Sequence, residues 1–400
     1  MRRVWIALMM SLSGVLGLGG CAAPTHGFKL YDGAPNEVLA SRPSEGDSLE
    51  VTYLGVGGYV LRHGSDVVVL APSFSNPGIL SLVAHGLAGG LKWDPDQVKA
   101  CMSRAEQIAG PTQDASLVLV GHSHYDHLMD TAEMLQSGQW FPKARILGSA
   151  TTGHLLAPFG LSDRFDDVTK FASRNGKPGE PLKNKTSTVR VYPIASDHSP
   201  HFMHLKLLSA AHLTEDAKTK PSNPRSGWLE GETYAYVVDF LKEANGPVAF
   251  RLYYEDAASS PNVGLIPDDL KQDGHRVDVS ITCVGAYEQI SASHYPQEVL
   301  ASTRPRYVIL GHWEDFFGND CLKPPSIVRM TGRKGLSRFI RRVGEVTPES
   351  RCVLPVPLAP TMFIPEGSAA PARSGPACLP VPPVEDDVWG APVTTSGTGN

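Results

Sequence analysis

The stretch VGHSHYDHLMD, residues 120–130, decides how this chain is read. It carries His122, His124, Asp126 and His127, four potential metal ligands within six positions, directly after the apolar run ASLVLVG at 115–121. That run has the composition of a buried β-strand, and strand ends are where α/β folds gather their chemistry. Imidazole nitrogen suits zinc and neighbouring first-row ions. A carboxylate beside it lets one loop serve two adjacent cations, one through two histidines and one through Asp plus His. A lone HxH would carry little, whereas HxHxDH at a strand end is uncommon by chance. The bland reading of the same residues is a solvated polar turn.

Outward from this stretch, short β-rich runs alternate with helical ones. LEVTYLG at 49–55, GYVLRH at 58–63 and DVVVLAP at 66–72 read as consecutive strands, with Gly57-Gly58 and Gly64-Ser65 as turn signals. PDQVKACMSRAEQIAG at 95–110 reads as a helix with Gly110 just past its end. Further strands are expected at STVRVYPIAS (187–196), TYAYVVDF (233–240), VAFRLYYED (248–256), RVDVSITCV (276–284) and RYVILGH (306–312). SIVRMTGRKGLSRFIRRV at 326–343 reads as helical. Neither an internal repeat nor a long internal linker interrupts this pattern, so one domain is expected over 49–364. Residues 21–48 and 365–400 are rich in Pro, Gly and Ser and read as a tether and a disordered tail.

The chain has 400 residues, 36 Lys+Arg against 41 Asp+Glu and a formal charge of −5. It is long enough to bury a core without help from metals or disulfides, so stability alone explains no metal ligand. No basic stripe is present, and the acidic balance argues against nucleic acid as a partner. At the N-terminus Arg2 and Arg3 precede an apolar stretch ending in Leu18-Gly19-Gly20-Cys21, shorter than the ~20 residues a membrane-spanning helix needs. This resembles the signal peptide and lipobox of bacterial lipoproteins. The resemblance implies removal of residues 1–20, lipidation of Cys21 and, with Ala22 following, attachment to the outer membrane facing the periplasm. The mature charge would then be −7, two arginines having been lost. The other cysteines, Cys101, Cys283, Cys321, Cys352 and Cys378, are odd in number, so at least one stays free or pairs elsewhere. Cys321 with Cys352 is the one bridge suggested, and no CxxC supports a zinc knuckle.

HxHxDH at a strand end resembles the signature of the metallo-β-lactamase fold superfamily. The resemblance implies an α/β fold, an αββα sandwich of two mixed β-sheets flanked by helices, and a dinuclear centre. It implies three more ligands, a His, an Asp and a His, each just after a strand and in that order. His198 ends VYPIASDH, Asp256 ends YYED and His312 ends VILGH. His201 competes with His198 and Glu255 with Asp256, and strand alternation does not decide the latter pair. Metal one would take His122, His124 and His198, metal two Asp126, His127 and His312, with Asp256 bridging. Two divalent ions, zinc first, would activate a hydroxide, with Asp126 holding it in line.

The resemblance extends toward a branch with L-ascorbate-6-phosphate lactonase-like proteins and N-acyl-phosphatidylethanolamine-hydrolysing phospholipase D. It rests on TYLGVGGYVLRHGSDVVVLAPSF, CVGAYEQISASHYPQEVL and LGHWEDFF, and it brings His294 near the site as a substrate-contacting or supporting group. Ala71 departs from that branch, which has Asp there to orient the metal loop. The expected activity is hydrolysis of an ester, phosphodiester or lactone, with a lipid or phosphodiester substrate preferred because of the membrane anchor. A lactonase or β-lactam hydrolase on a small substrate is the first alternative. A non-catalytic metal-binding envelope lipoprotein is the second, motivated by Ala71 and opposed by the complete ligand set. The insertion beginning at His201 supplies, over residues 201–213, a candidate lid for acyl chains, although an ordinary packed helix is the preferred reading of its pattern.

Overall fold

Along Asp66–Leu70 and Leu117–Leu119, successive side chains join different layers. Val68, Leu70, Leu117 and Leu119 belong to the apolar cluster between the sheets, while Val67, Val69, Val118 and Val120 join the cluster beneath the helices. This period of two is the geometry of a strand buried on both faces, and it accounts for the unbroken Val/Leu runs in the sequence. The computed structural model describes residues 23–24 and 48–365, apart from 175, 200–210, 286, 288–293, 324 and 330. The signal peptide, Cys21 and Cys378, most of the tether, nearly all of the tail, and His201 and His204 of the insertion lie outside the described residues.

In chain order the strands are β1 (Ala23–Pro24), β2 (Leu49–Gly55), β3 (Gly58–His63), β4 (Asp66–Leu70), β5 (Leu117–Leu119), β6 (Arg145–Gly148), β7 (Phe165–Asp167) and β8 (Leu182–Lys183). They continue as β9 (Val189–Ser196), β10 (Thr233–Leu241), β11 (Val248–Tyr254), β12 (Val279–Cys283), β13 (Tyr307–Gly311), β14 (Ser326–Ile327), β15 (Arg351–Val353) and β16 (Pro360–Phe363). One seven-stranded sheet has the order β16-β2-β3-β4-β5-β6-β7 and the other β15-β13-β12-β11-β10-β9-β8. In each sheet an antiparallel series leads into parallel strands: β16 to β4 then β5 to β7, and β8 to β11 then β12, β13 and β15. The two sheets therefore share one pattern that no sequence repeat announces. Helices flank the sheets on their outer faces, the αββα layout expected from the sequence.

On the first sheet, Pro95–Ala109 buries Val98, Cys101, Met102 and Ala105, and Tyr125–Ser137 buries Leu128, Met129, Ala132 and Leu135. On the second, Gly332–Val346 buries Leu336, Phe339 and Val343, the spacing of one helical face. The expected helix at 326–343 is thus corrected at its start. Ser326–Ile327 is a strand paired with β1, and the helix begins only at Gly332, whose φ is +60°. The suggested Cys321–Cys352 bridge is also corrected. Cys321 is bonded to Cys101 across 220 residues, Cys352 is in another disulfide, and Cys283 is a free, buried thiol. Sequence separation hid the true pair, because only packing brings the loop after β13 against the helix Pro95–Ala109. Among the described residues no helix is long and apolar enough to cross a membrane.

Candidate metal centre

The HxHxDH stretch is not one loop. His122 and His124 lie between β5 and a helix for which His124 is the N-cap, and Asp126 and His127 occupy the first turn of that helix, Tyr125–Ser137. The His124 carbonyl accepts from the N–H groups of His127 and Leu128 at 3.0 and 2.9 Å. The apolar spacing of Leu128, Met129, Ala132 and Leu135 makes this a helix, and Gly138 in the left-handed region ends it. A carboxylate in a first turn is favoured by the helix dipole, which helps hold Asp126 there. Ser123 secures the preceding bend: its N–H donates to Glu230 O at 3.0 Å, and its hydroxyl bonds Thr152 Oγ1 at 2.7 Å.

Three distant segments meet this stretch. His198 follows β9, Asp256 follows β11 and His312 follows β13, so the expected ligands come together at one edge of the sandwich. Three donor sets have ligand atoms all within 4.8 Å of one another: His122, His124 and His198; His122, His127 and Asp256; Asp126, His127 and His312. Asp256 lies between the outer two, its Oδ1 2.9 Å from His122 Nδ1 and its Oδ2 3.4 Å from His127 Nδ1. Asp126 Oδ2 lies 3.7 Å from His127 Nε2 and 3.9 Å from His312 Nε2. His198 Nδ1 donates to the Ser199 carbonyl at 2.7 Å, which selects the tautomer with its lone pair on Nε2.

The competition between Asp256 and Glu255 is resolved by geometry. Glu255 points to a tyrosine pocket, where it accepts hydrogen bonds from Tyr253 at 3.1 Å and from Tyr295. His294 joins none of the three donor sets. It is half-buried, with Nε2 3.3 Å from the Ser259 carbonyl. Ala71 is fully buried in the outer apolar cluster. Asp130, one turn beyond His127, accepts the N–H groups of Phe74 and Ser75 at 2.6 and 2.7 Å, and so ties the segment after β4 to the helix bearing Asp126 and His127.

The residues present fit cations. Asp126 Oδ1, His127 Nδ1, Asp256 Oδ2 and His312 Nδ1 are buried and make no hydrogen bond among the described residues, an expensive state for four polar atoms. Electrostatics point the same way. Burial, with His122 next, drives His127 well below the usual imidazole range, and burial takes His312 down to about 4. Neutral imidazole is the ligating form. Burial, reinforced by Asp256, pushes Asp126 up to about 7, and burial also raises Asp256. A divalent ion held there would favour the ionised carboxylates by supplying positive charge.

Three glycines permit this crowding, and sequence reasoning did not find their role. A Cβ on Gly121 would lie 2.4 Å from both oxygens of Asp256, one on Gly57 2.8 Å from His127 Nδ1, and one on Gly285 3.1 Å from the His312 ring. Their available signal was position: Gly121 directly precedes His122, and Gly57 had been read only as a turn. His312 itself sits at φ +52°, a costly backbone state for a non-glycine residue, with its ring 4.8 Å from that of Phe316.

No family model matches the chain, and no curated protein matches it. Solved structures of similar fold include Igni18, a metallo hydrolase from Ignicoccus hospitalis, at 11% identity over 79% of this chain and 98% of that one, with a TM-score of 0.43. The metallo-β-lactamase fold protein YhfI from Bacillus subtilis is 12% identical over 79% of this chain and 100% of its own, with a TM-score of 0.43. A possible metal-dependent hydrolase from Veillonella parvula is 14% identical over 79% and 100%, also at 0.43.

Proposed function

We propose that this chain is a metal-dependent hydrolase holding two divalent cations, zinc first among them, and acting on an ester, phosphodiester or lactone, with a lipid-derived substrate preferred. The observation that carries this reading is the convergence of three overlapping His/Asp donor sets at one sandwich edge. His122, His124 and His198 would hold one cation, Asp126, His127 and His312 the other, and Asp256 would bridge them. Paired divalent ions supply Lewis acidity, making water a nucleophile near neutral pH and offsetting negative charge that develops on the substrate.

This chain's own groups do the rest. Asp126 has one oxygen facing His127 and His312, while its other, Oδ1, makes no hydrogen bond among the described residues and is available to accept and pass on a proton. His294, half-buried beside Ser259, is assigned to contact the substrate. Asp130 and Ser123 hold the two ends of the HxHxDH stretch and keep its side chains aimed inward. The preference for a lipid substrate, and location at the bacterial envelope through a lipidated Cys21, rest on the lipobox-like N-terminus.

Elemental analysis of the purified mature chain beside a His122→Ala/His127→Ala variant, with bis-p-nitrophenyl phosphate and lactone hydrolysis, tests the proposal. About two metals per chain, lost in the variant together with turnover, is the expected result. A metal-replete preparation that binds none would overturn it, whereas metal bound without turnover would leave the non-catalytic metal-binding alternative.

A further inference from the structure

The helix Ile79–Ala88, ILSLVAHGLA, has no fully buried residue and no charged one. Its solvent face is the apolar one. Leu80, Val83 and Leu87 recur at helical spacing and are 76, 38 and 78% exposed, while Leu82 on the opposite side packs toward the outer apolar cluster. A surface helix ordinarily shows the reverse. A fourth apolar side chain, Leu322, 60% exposed, comes from the segment after β13. Of the five exposed large hydrophobic residues among those described, these two segments hold four.

Residues on either side of the helix, Phe74 and Asn76 before it and Gln97 after it, tie it to the second segment and make one platform. Gln97 donates to the carbonyls of Phe74 and Asn319 at 2.8 and 2.7 Å, Gly318 N–H donates to Asn76 O at 3.0 Å, and the Cys101–Cys321 disulfide fastens the residue next to Leu322. The platform adjoins the metal centre. Phe74 and Ser75, which lead into its helix, are held by Asp130, and its second segment begins with Phe316 against the His312 ring.

The first described residues, Ala23–Pro24, lie beside the strand that follows the second segment. β1 pairs antiparallel with β14, Ala23 opposite Ile327, and Ile327 also bridges to Glu314. Cys21 is two residues upstream of Ala23, a reach of about 7 Å at most for extended chain. We infer that the Leu80/Val83/Leu87/Leu322 platform docks on the surface of a lipid bilayer, seating the domain with the rim of its metal centre against the membrane. The inference rests on the proposed envelope anchoring, since an acyl chain on Cys21 would enter the bilayer beside this platform. The outward apolar face of the helix, which carries no charged residue, is the chemistry that such a surface recognises.

The test uses the mature chain, residues 21–400 carrying Cys21→Ser, produced without acyl groups and mixed with phosphatidylethanolamine/phosphatidylglycerol vesicles in sedimentation assays. Binding is expected to fall at least tenfold in Leu80→Asp/Leu87→Asp and to fall in Leu322→Asp, while Val356→Asp, an exposed residue outside the platform, leaves it unchanged. Melting curves and metal content matching the parent exclude misfolding, and Leu322→Asp alone keeps the test informative if the double variant fails to fold. Absence of vesicle binding by the parent, or equal binding by all variants, overturns the inference. A concentration-dependent dimer that the double variant breaks, without vesicle binding, would also overturn it by making a second copy the occupant. The mass of the wild-type mature protein reads lipidation of Cys21 separately, so failure of the anchoring proposal is distinguishable from failure of the platform.

Discussion

Replacing Gly121 by alanine should cost the metal centre far more than one methyl group suggests. The new Cβ would sit 2.4 Å from Oδ1 and Oδ2 of Asp256 and 2.5 Å from its Cγ, whereas ordinary contact begins at 3.4 Å, so something must move by about 1 Å. The backbone around Gly121 is poorly placed to give. Tyr234 N–H donates to its carbonyl at 2.8 Å, Val120 N–H donates to Leu147 O at 2.9 Å, and the Tyr236 hydroxyl donates to Val120 O at 2.8 Å. The carboxylate of Asp256 therefore takes the displacement, and ligand geometry tolerates only about 0.2 Å. We expect zinc affinity to fall by about 10- to 100-fold, the scale seen when groups that orient ligands are lost, with about 1–3 kcal/mol lost from the metal-free protein through overpacking. Competition with a chromophoric chelator reads the affinity, and urea unfolding of the metal-free chain reads the stability. Gly86→Ala is the control, since that helical position has open space around it; it should stabilise by about 0.5–1 kcal/mol and leave zinc binding alone. Wild-type zinc affinity in Gly121→Ala would refute the argument, whatever happened to stability.

Asp239 is fully buried and accepts from Arg251 at 2.7 and 3.0 Å and from Arg190 at 3.1 Å; Asp239→Ala leaves Arg251 without its main partner and should cost about 3–5 kcal/mol in urea unfolding. Burial pushes the Asp130 carboxyl from 3.8 up to about 6, so this group favours the folded state below about pH 4 and withdraws that support as pH rises through 6. Asp130→Asn should therefore gain on the wild type by up to about 3 kcal/mol between pH 4 and pH 7, and metal-free unfolding curves that run parallel across that range would contradict it. Cys101→Ala/Cys321→Ala opens a 220-residue loop, and chain entropy sets the loss at up to about 5 kcal/mol, measured by guanidinium unfolding.

What the sequence determined by itself was local. Alternation marked most strands to within two or three residues, because a strand's side chains report their layer at a fixed period. The HxHxDH spacing marked four of the seven grouped His/Asp residues, and a resemblance extended the set to His198, Asp256 and His312. Those seven are the residues that the three donor sets contain. Composition could not resolve Asp256 from Glu255, since both are acids at one strand end. Only packing against Tyr253 and Tyr295 turns Glu255 away. The helix Tyr125–Ser137 escaped notice because its ligands at the start masked the apolar spacing behind them.

Tertiary structure alone decided the remainder. The Cys101–Cys321 bridge, the closeness of Gly121 to Asp256, and the bond from Gln97 to the Asn319 carbonyl all link residues more than a hundred positions apart. Local propensity carries no record of such pairs, because their energies arise only when two sheets close on one another and leave space for a hydrogen atom but not for a methyl group.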